Sequence, residues 1–422
     1  MTKTKTFNSG AQLVVTETNS PMTVFGLLVK VGSFHEETEF EGASHFIEHL
    51  MFKSTKNRTV EQIAEEQEFL GSEINAYTSK THTVYHFKCL TENFEKSLEI
   101  YADMLQNGLL DEGEVNLERE VVLEEIKWAH DNVSRILYYE TDKAIYSGTR
   151  LEHKILGNEE NIKNISIEKI KDFINKFYTA DNIIFSISGG VSFDDAEKLV
   201  KKYFPKYFEG NSKPKELDAT PFNICVKQKY VAYEKDDKQV NVLVSIKGNS
   251  MYDEDRFHQR IYAKILGGGK SSRLFQTLRE KMGLAYSVSA ISDNDFNSGT
   301  VKLSIGTSKD KLTKALQGMR ATIEDMAING VTEYEVQKAK NKLISKLIYG
   351  EETNISIMKK NMSQLYFRGG LLTHEEIIER INKVTIQDVN NFAKRISNEK
   401  EFFVCAVGKD INCNDLKVFG NE

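Results

Sequence analysis

Apolar positions along the chain follow two rhythms. Thr83-Val-Tyr-His-Phe and Thr300-Val-Lys-Leu-Ser-Ile alternate apolar with polar residues, the pattern of strands with one buried face. Phe25–Val29 and Val240–Ile246 are apolar runs of strand length. Between such runs lie helix-like stretches, among them Ala43–Phe52 and Glu114–Lys127. Interleaving of this kind predicts an α+β fold whose sheets bury one face against helices.

The pattern repeats. Each half opens with an apolar strand run, continues through acidic turn residues and enters a helix-like segment. Phe94-Glu-Lys-Ser-Leu matches Leu312-Thr-Lys-Ala-Leu at an offset of 218 residues. Ile165-Ser-Ile-Glu-Lys-Ile-Lys-Asp-Phe matches Val384-Thr-Ile-Gln-Asp-Val-Asn-Asn-Phe at 219. Alternating strands, Ile183–Ser188 and Phe402–Val407, follow the second pair. Near-equal offsets so far apart predict an internal duplication into two tandem homologous halves. Three of the four prolines, Pro205, Pro214 and Pro221, fall in a polar, breaker-rich stretch. It predicts a linker at 213–221, between an N-terminal half at 1–212 and a C-terminal half at 222–422.

Composition changes this picture little. With 40% hydrophobic and 28% charged residues, the chain has the balance of a soluble protein with a sizeable core. The net charge of −6 is spread over interspersed acids and bases, which offers nothing to nucleic acid or an anionic membrane. Cys89, Cys225, Cys405 and Cys413 lack C-x-x-C spacing and read as reduced thiols. The N-terminal residues show neither the apolar core of a signal peptide nor the arginines of a transit peptide. No apolar run approaches the ~20 residues of a membrane span. The expectation is a cytoplasmic protein without membrane insertion.

Candidate chemistry concentrates in Ala43-Ser-His-Phe-Ile-Glu-His-Leu-Met-Phe52. On a helix, His45 and His49 stand one above the other and can grip one Zn²⁺. Glu48 lies near the same face, placed to reach a metal-bound water without being a ligand. This is the H-x-x-E-H inversion of the zinc-protease helix H-E-x-x-H. A catalytic zinc usually has a third protein ligand. Glu118 and Glu125, seven residues apart on the helix-like run Glu114–Lys127, share a face to within about 20°. One could be a ligand and the other a partner that orients a histidine or the water. Glu124 points elsewhere.

With these residues in place, the chain resembles the pitrilysin-type (inverzincin, M16) metallopeptidases. Within them it is similar to the short bacterial processing proteases related to mitochondrial processing peptidase. The H-x-x-E-H motif is followed 76 residues after His49 by Glu125, inside Glu118-Arg-Glu-Val-Val-Leu-Glu-Glu125. The resemblance implies Glu125 as third ligand of one zinc per chain, and Glu118 as an acidic helper. Gly71-Ser-Glu-Ile-Asn-Ala-Tyr-Thr-Ser-Lys80 resembles the family's substrate-binding edge strand, which implies Asn75, Ala76 and Tyr77 as substrate contacts. Ser272–Tyr286 resembles the segment of the family's arginine–tyrosine pair, which implies that Arg279 and Tyr286 bind substrate or polarise its carbonyl.

The implied fold is the LuxS/MPP-like metallohydrolase fold, with two halves enclosing a chamber. At the 218 offset, His45, Glu48 and His49 stand opposite Ala263, Leu266 and Gly267, so the C-terminal half is expected to be metal-free. The implied activity is that of a zinc endopeptidase with a metal-bound water as nucleophile and Glu48 as general base and acid. A homodimer on a peptide substrate is the default assembly, and a heterodimer with a related chain is the other one. The competing reading is a non-catalytic, substrate-holding subunit, but such partners typically have a degraded metal motif and this chain has the full set.

Three weaker signals are set aside. His82 and His86 lie in a strand-like run with no third ligand nearby. Gly267-Gly-Gly-Lys-Ser-Ser272 has Lys264 where a phosphate loop needs its first glycine, and reads instead as a flexible loop. Asp293–Gly299 lacks the glycine and glutamate of a calcium loop and reads as a hairpin turn.

Overall fold

The computed structural model describes residues 1–218 and 220–420. Its first sheet contains β1 (Thr2–Thr6), β2 (Gln12–Glu17), β3 (Met22–Val29), β4 (Glu73–Thr78), β5 (Thr83–Leu90) and β6 (Ile183–Gly189), ordered β1-β2-β6-β3-β5-β4. The second contains β7 (Tyr230–Glu234), β8 (Val240–Lys247), β9 (Ser287–Asn294), β10 (Gly299–Thr307) and β11 (Phe402–Gly408), ordered β7-β11-β8-β10-β9.

These two orders are one order. β2, β6, β3, β5 and β4 correspond to β7, β11, β8, β10 and β9. In both sets of five the first pair, β2–β6 or β7–β11, is parallel and the other neighbours are antiparallel. β8 begins and ends 218 residues after β3. The duplication seen in the sequence is therefore a duplication of topology, with β1 added to the first copy. The run Asp293–Gly299 is the turn of the β9–β10 hairpin.

Two compact units emerge, each with its own sheet. The first comprises 1–128, 153–218 and 349–372, and the second the described residues within 129–152, 219–348 and 373–422. Each unit thus takes one helix from the opposite half of the sequence. In the first, the helix Asn354–Arg368 covers one face of the sheet. Its Met358, Met362, Leu365 and Tyr366 pack among Val14, Val24, Leu28, Val84 and Ile184. Gly26 permits the approach, because a Cβ there would stand 2.4 Å from Met358 Sδ. In the second, the helix Val133–Ile145 lies on β8 and β11.

The central strands β6 and β11 are buried along their whole length. Alternation in Ile183–Ser188 suggests one solvated face, and the structure shows otherwise. Phe185 packs with Phe204 and Phe208. On the opposite side, Ser186 Oγ donates to Met358 O at 3.1 Å and Ser188 Oγ to Asn354 Oδ1 at 3.3 Å. The polar half of the alternation meets a helix instead of water, and its hydroxyls are satisfied there. Among the described residues, no helix is long and apolar enough to cross a membrane.

Candidate metal centre

The candidate chemistry gathers in the first unit, on two helices and the edge strand β4. The histidine helix, Ala43–Leu50, is anchored by buried Phe46, Ile47 and Leu50, which leaves His45, Glu48 and His49 half-buried on its other side. Its N-cap is Gly42, with φ 97°, a left-handed conformation that favours glycine. Glycine brings no capping side chain. Glu36 replaces it from outside the helix, with its carboxylate accepting the Gly42 and Ser44 N–H groups, each at 2.7 Å. Ser44 sits inside the helix, in its first turn. Burial pushes the Glu36 carboxyl up to about 7. Nothing in the motif pointed to Glu36. The clue was the lack of Ser, Thr, Asp or Asn immediately before the helix.

The glutamate helix, Glu112–Asp131, lies alongside. Glu114 accepts from Ser54 N at 3.1 Å and from Ser54 Oγ at 2.5 Å. Glu118, buried, pairs with Lys53 and with His49 Nδ1, the latter at 2.9 Å. Burial opposes its ionisation, but Lys53 and His49 outweigh it and hold the carboxyl below the ordinary range. Arg119 donates to the carbonyls of Ile162 and Ile165. These contacts fix the rotation of the helix. Glu124 turns outward to pair with Lys127.

With both helices fixed, Glu125 Oε2 lies 3.6 Å from His45 Nε2 and 3.9 Å from His49 Nε2. Among the described residues, His45, His49 and Glu125 are the trio whose donor atoms converge in this way, within 4.8 Å of one another. Ligand atoms at 2.0–2.1 Å from a tetrahedral zinc are roughly 3.3 Å apart. The separations of Glu125 Oε2 from the two imidazole nitrogens, 3.6 and 3.9 Å, exceed that by roughly half an ångström. Two neutral imidazoles and one carboxylate are a donor set that zinc accepts. Glu118 on His49 Nδ1 leaves Nε2 as the atom facing the trio. The residues fit the ion.

Glu48 stands beside this trio without joining it. Its Oε2 accepts from Thr78 Oγ1 at the end of β4. Burial is the main influence on its carboxyl and raises its proton affinity. Thr78 and His49 oppose the shift, and Glu125 adds to it. Beyond Glu48, β4 is paired with β5 on one side and forms the edge of the sheet. Asn75 is exposed, and its Oδ1 accepts the Ala76 N–H at 2.8 Å. Tyr77 is half-buried against His82 and His86, with Lys359 over its ring at 4.9 Å.

Arg279 and Tyr286 belong to the second unit. Arg279 lies in a π-helical turn, Phe275–Lys281, and stacks on Phe275 at 4.8 Å. Tyr286 immediately precedes β9 and is 68% exposed. The histidines set aside in the sequence are enclosed. Burial pushes His82 and His86 each down to about 4, and His82 packs against Tyr366 and Phe367. Sequence reasoning missed an exposed apolar stripe on the glutamate helix. Leu117, Val121 and Trp128 form a shallow groove with Glu125 itself.

Comparison with known proteins places the chain among relatives. Residues 13–159 match the family model described as insulinase (peptidase family M16), and 164–343 match that of the peptidase M16 inactive domain. The uncharacterized zinc protease YmxG of Bacillus subtilis is 31% identical over 400 residues, 94% of this chain and 96% of that protein. An uncharacterized zinc protease of Rickettsia felis is 33% identical over 395 residues, 93% of each chain. In fold, the chain resembles a protease from Helicobacter pylori, with TM-score 0.85 and 24% identity over 97% of this chain and 99% of that one. It also resembles a peptidase M16 inactive domain from Pseudomonas fluorescens, with TM-score 0.87 and 20% identity over 97% and 98%. Matches of this extent, on a chain whose two copies share one topology, make it a member of peptidase family M16, the insulinase family.

Proposed function

We propose that this protein is a zinc-dependent endopeptidase that hydrolyses peptides or unfolded segments. The observation that carries this reading is the convergence of His45 and His49 Nε2 on Glu125 Oε2, with Glu48 beside them and outside the donor set. His45, His49 and Glu125 would hold the ion. Bound there, zinc supplies a Lewis acid that polarises the scissile carbonyl and acidifies water enough for attack near neutral pH. Glu48 accepts the proton of the attacking water on its carboxylate and returns it to the departing amine nitrogen. Its burial suits that cycle, because desolvation raises the proton affinity of the carboxylate and makes it a stronger base towards the attacking water.

Around this step the other residues bind and orient. Glu118 fixes the ring of His49 through Nδ1. β4 offers its free edge to an extended peptide, whose carbonyl replaces Asn75 Oδ1 on the Ala76 N–H. Leu117, Val121 and Trp128 give apolar surface to a substrate side chain next to Glu125. Arg279 and Tyr286 keep the substrate-binding role that the family resemblance gives them.

The test is cleavage of a fluorogenic peptide library by wild type, by chelator-treated protein and by Glu48→Gln. The expected result is chelator-sensitive cleavage that falls on the order of 10²–10⁴-fold or more in Glu48→Gln while metal content is unchanged. Metal loss in Glu48→Gln would make Glu48 a ligand or a structural residue. Absence of cleavage together with absence of bound zinc would refute the reading.

A further inference from the structure

The second unit repeats the layout of the metal-binding region without its ligands. The helix Arg256–Gly267 packs on β9, as the histidine helix packs on β4, and Glu333–Tyr349 is the counterpart of the glutamate helix. At the 218 offset, Ala263 takes the place of His45 and Leu343 that of Glu125. Where the metal ligands are replaced, the unit contains a cavity of about 390 Å³, lined by Ala263 and Leu343 among others. That volume lies in the range of small-ligand pockets.

The cavity has a definite chemistry. Its charged lining residues are Arg260, Lys264 and Lys346, and no acid lines it. Among the described residues, Lys264 and Lys346 form no ion pair. Burial, together with the charges of Lys346 and Lys342, disfavours the proton on Lys264. An anion would relieve that repulsion. The rest of the lining is largely apolar, with Leu343, Leu347 and Ile377 facing the same space.

One wall identifies the kind of anion. Ala290, Ile291 and Ser292 all line the cavity, although successive side chains of a strand point to opposite faces. Three consecutive residues can do this only where the cavity borders the strand's edge. β9 is the last strand of its sheet, so that edge is unpaired within the sheet. An unpaired edge, apolar surface and the two lysines Lys264 and Lys346 together match an extended peptide that ends in a carboxylate.

We propose that this cavity is a second peptide-binding site, which takes the C-terminal carboxylate of an extended peptide between Lys264 and Lys346 and its last apolar side chain against Leu343, Leu347 and Ile377. The main chain of that peptide adds to the free edge of β9. This site contains none of the residues assigned to the metal and stands or falls independently of the peptidase reading.

The test is fluorescence anisotropy with a labelled hexapeptide ending in leucine, as free acid and as C-terminal amide. Glu48→Gln protein with chelator present keeps the peptide intact, so binding is read without turnover and without a metal to attract the carboxylate. The expected result is that the amide binds at least about tenfold more weakly than the free acid, the loss of one charge-assisted contact. Lys264→Glu/Lys346→Glu should weaken the free acid at least as much and leave the amide unchanged. Lys346→Ala, at an exposed position, repeats the effect in a variant with little reason to misfold. Equal binding of acid and amide, or undiminished binding to both lysine variants, would overturn the proposal.

Discussion

Glu36 ties the metal-binding helix to a measurable pH dependence. Its carboxyl is 1% exposed, accepts two N–H groups at 2.7 Å and is pushed by burial from an ordinary 4.5 to about 7. Because the folded value is raised, its stabilising contribution is fully present below pH 4.5 and is lost as pH rises through 7. At about 1.4 kcal/mol per pH unit, that difference amounts to roughly 3 kcal/mol. Glu36→Gln removes the titration. Its amide can still accept one N–H, but its own NH₂ faces the second, which costs about 1 kcal/mol at any pH. Near pH 4, below both values, the variant should therefore be the less stable chain by about that much. Near pH 8 it should be the more stable by about 2 kcal/mol, so the two stability curves cross. Urea denaturation of both proteins across pH 4–8, with chelator present so that metal release does not contribute, gives the difference directly. A difference independent of pH would show that Glu36 keeps an ordinary proton affinity when folded and would refute the reasoning.

Other perturbations test the frame around the site. Glu118→Gln leaves the three candidate ligands in place but weakens the hold on His49 Nδ1, and metal titration should show about 10–100-fold lower zinc affinity. An unchanged affinity would reduce Glu118 to a structural partner of Lys53. Met358→Ala empties a fully buried position on the helix that covers the first sheet and should cost about 2–5 kcal/mol. Hydrogen exchange should place the loosening in β3 and β6, strands of the other sequence half, and loosening confined to residues after 220 would contradict the observed packing.

Much of the candidate site was legible because it depends on short-range geometry. A helix places i and i+4 together whatever surrounds it, so His45 and His49 could be paired by spacing alone. Glu118 and Glu125 could be placed on one face for the same reason. The duplication was readable from matched segments, since each copy carries the same local patterns. What could not be read was long-range. Asn354–Arg368 has the apolar face of a helix that packs on a sheet, but its pattern does not say which sheet. The serines of β6 look solvated until that helix is laid over them. Glu36 lies six residues before Gly42, outside any capping box, and becomes a cap only through the fold of the intervening loop. The glycine run at 267–272 read as a loop, yet Gly267 closes the helix Arg256–Gly267.

The exchange of helices between the two copies has a consequence for how such a chain can change over time. A gene cut at the linker would encode two polypeptides, neither holding all the parts of a compact unit. The first would lack the cover that Met358, Met362, Leu365 and Tyr366 give its sheet, and the second would lack Val133–Ile145. The copy without metal ligands is therefore not dispensable baggage. It has no metal ligand at Ala263, Leu266 and Gly267, but it cannot be shed without stripping the sheet whose edge strand holds Thr78 against Glu48. The two copies differ in chemistry, yet each compact unit is completed by a segment from the other half of the chain.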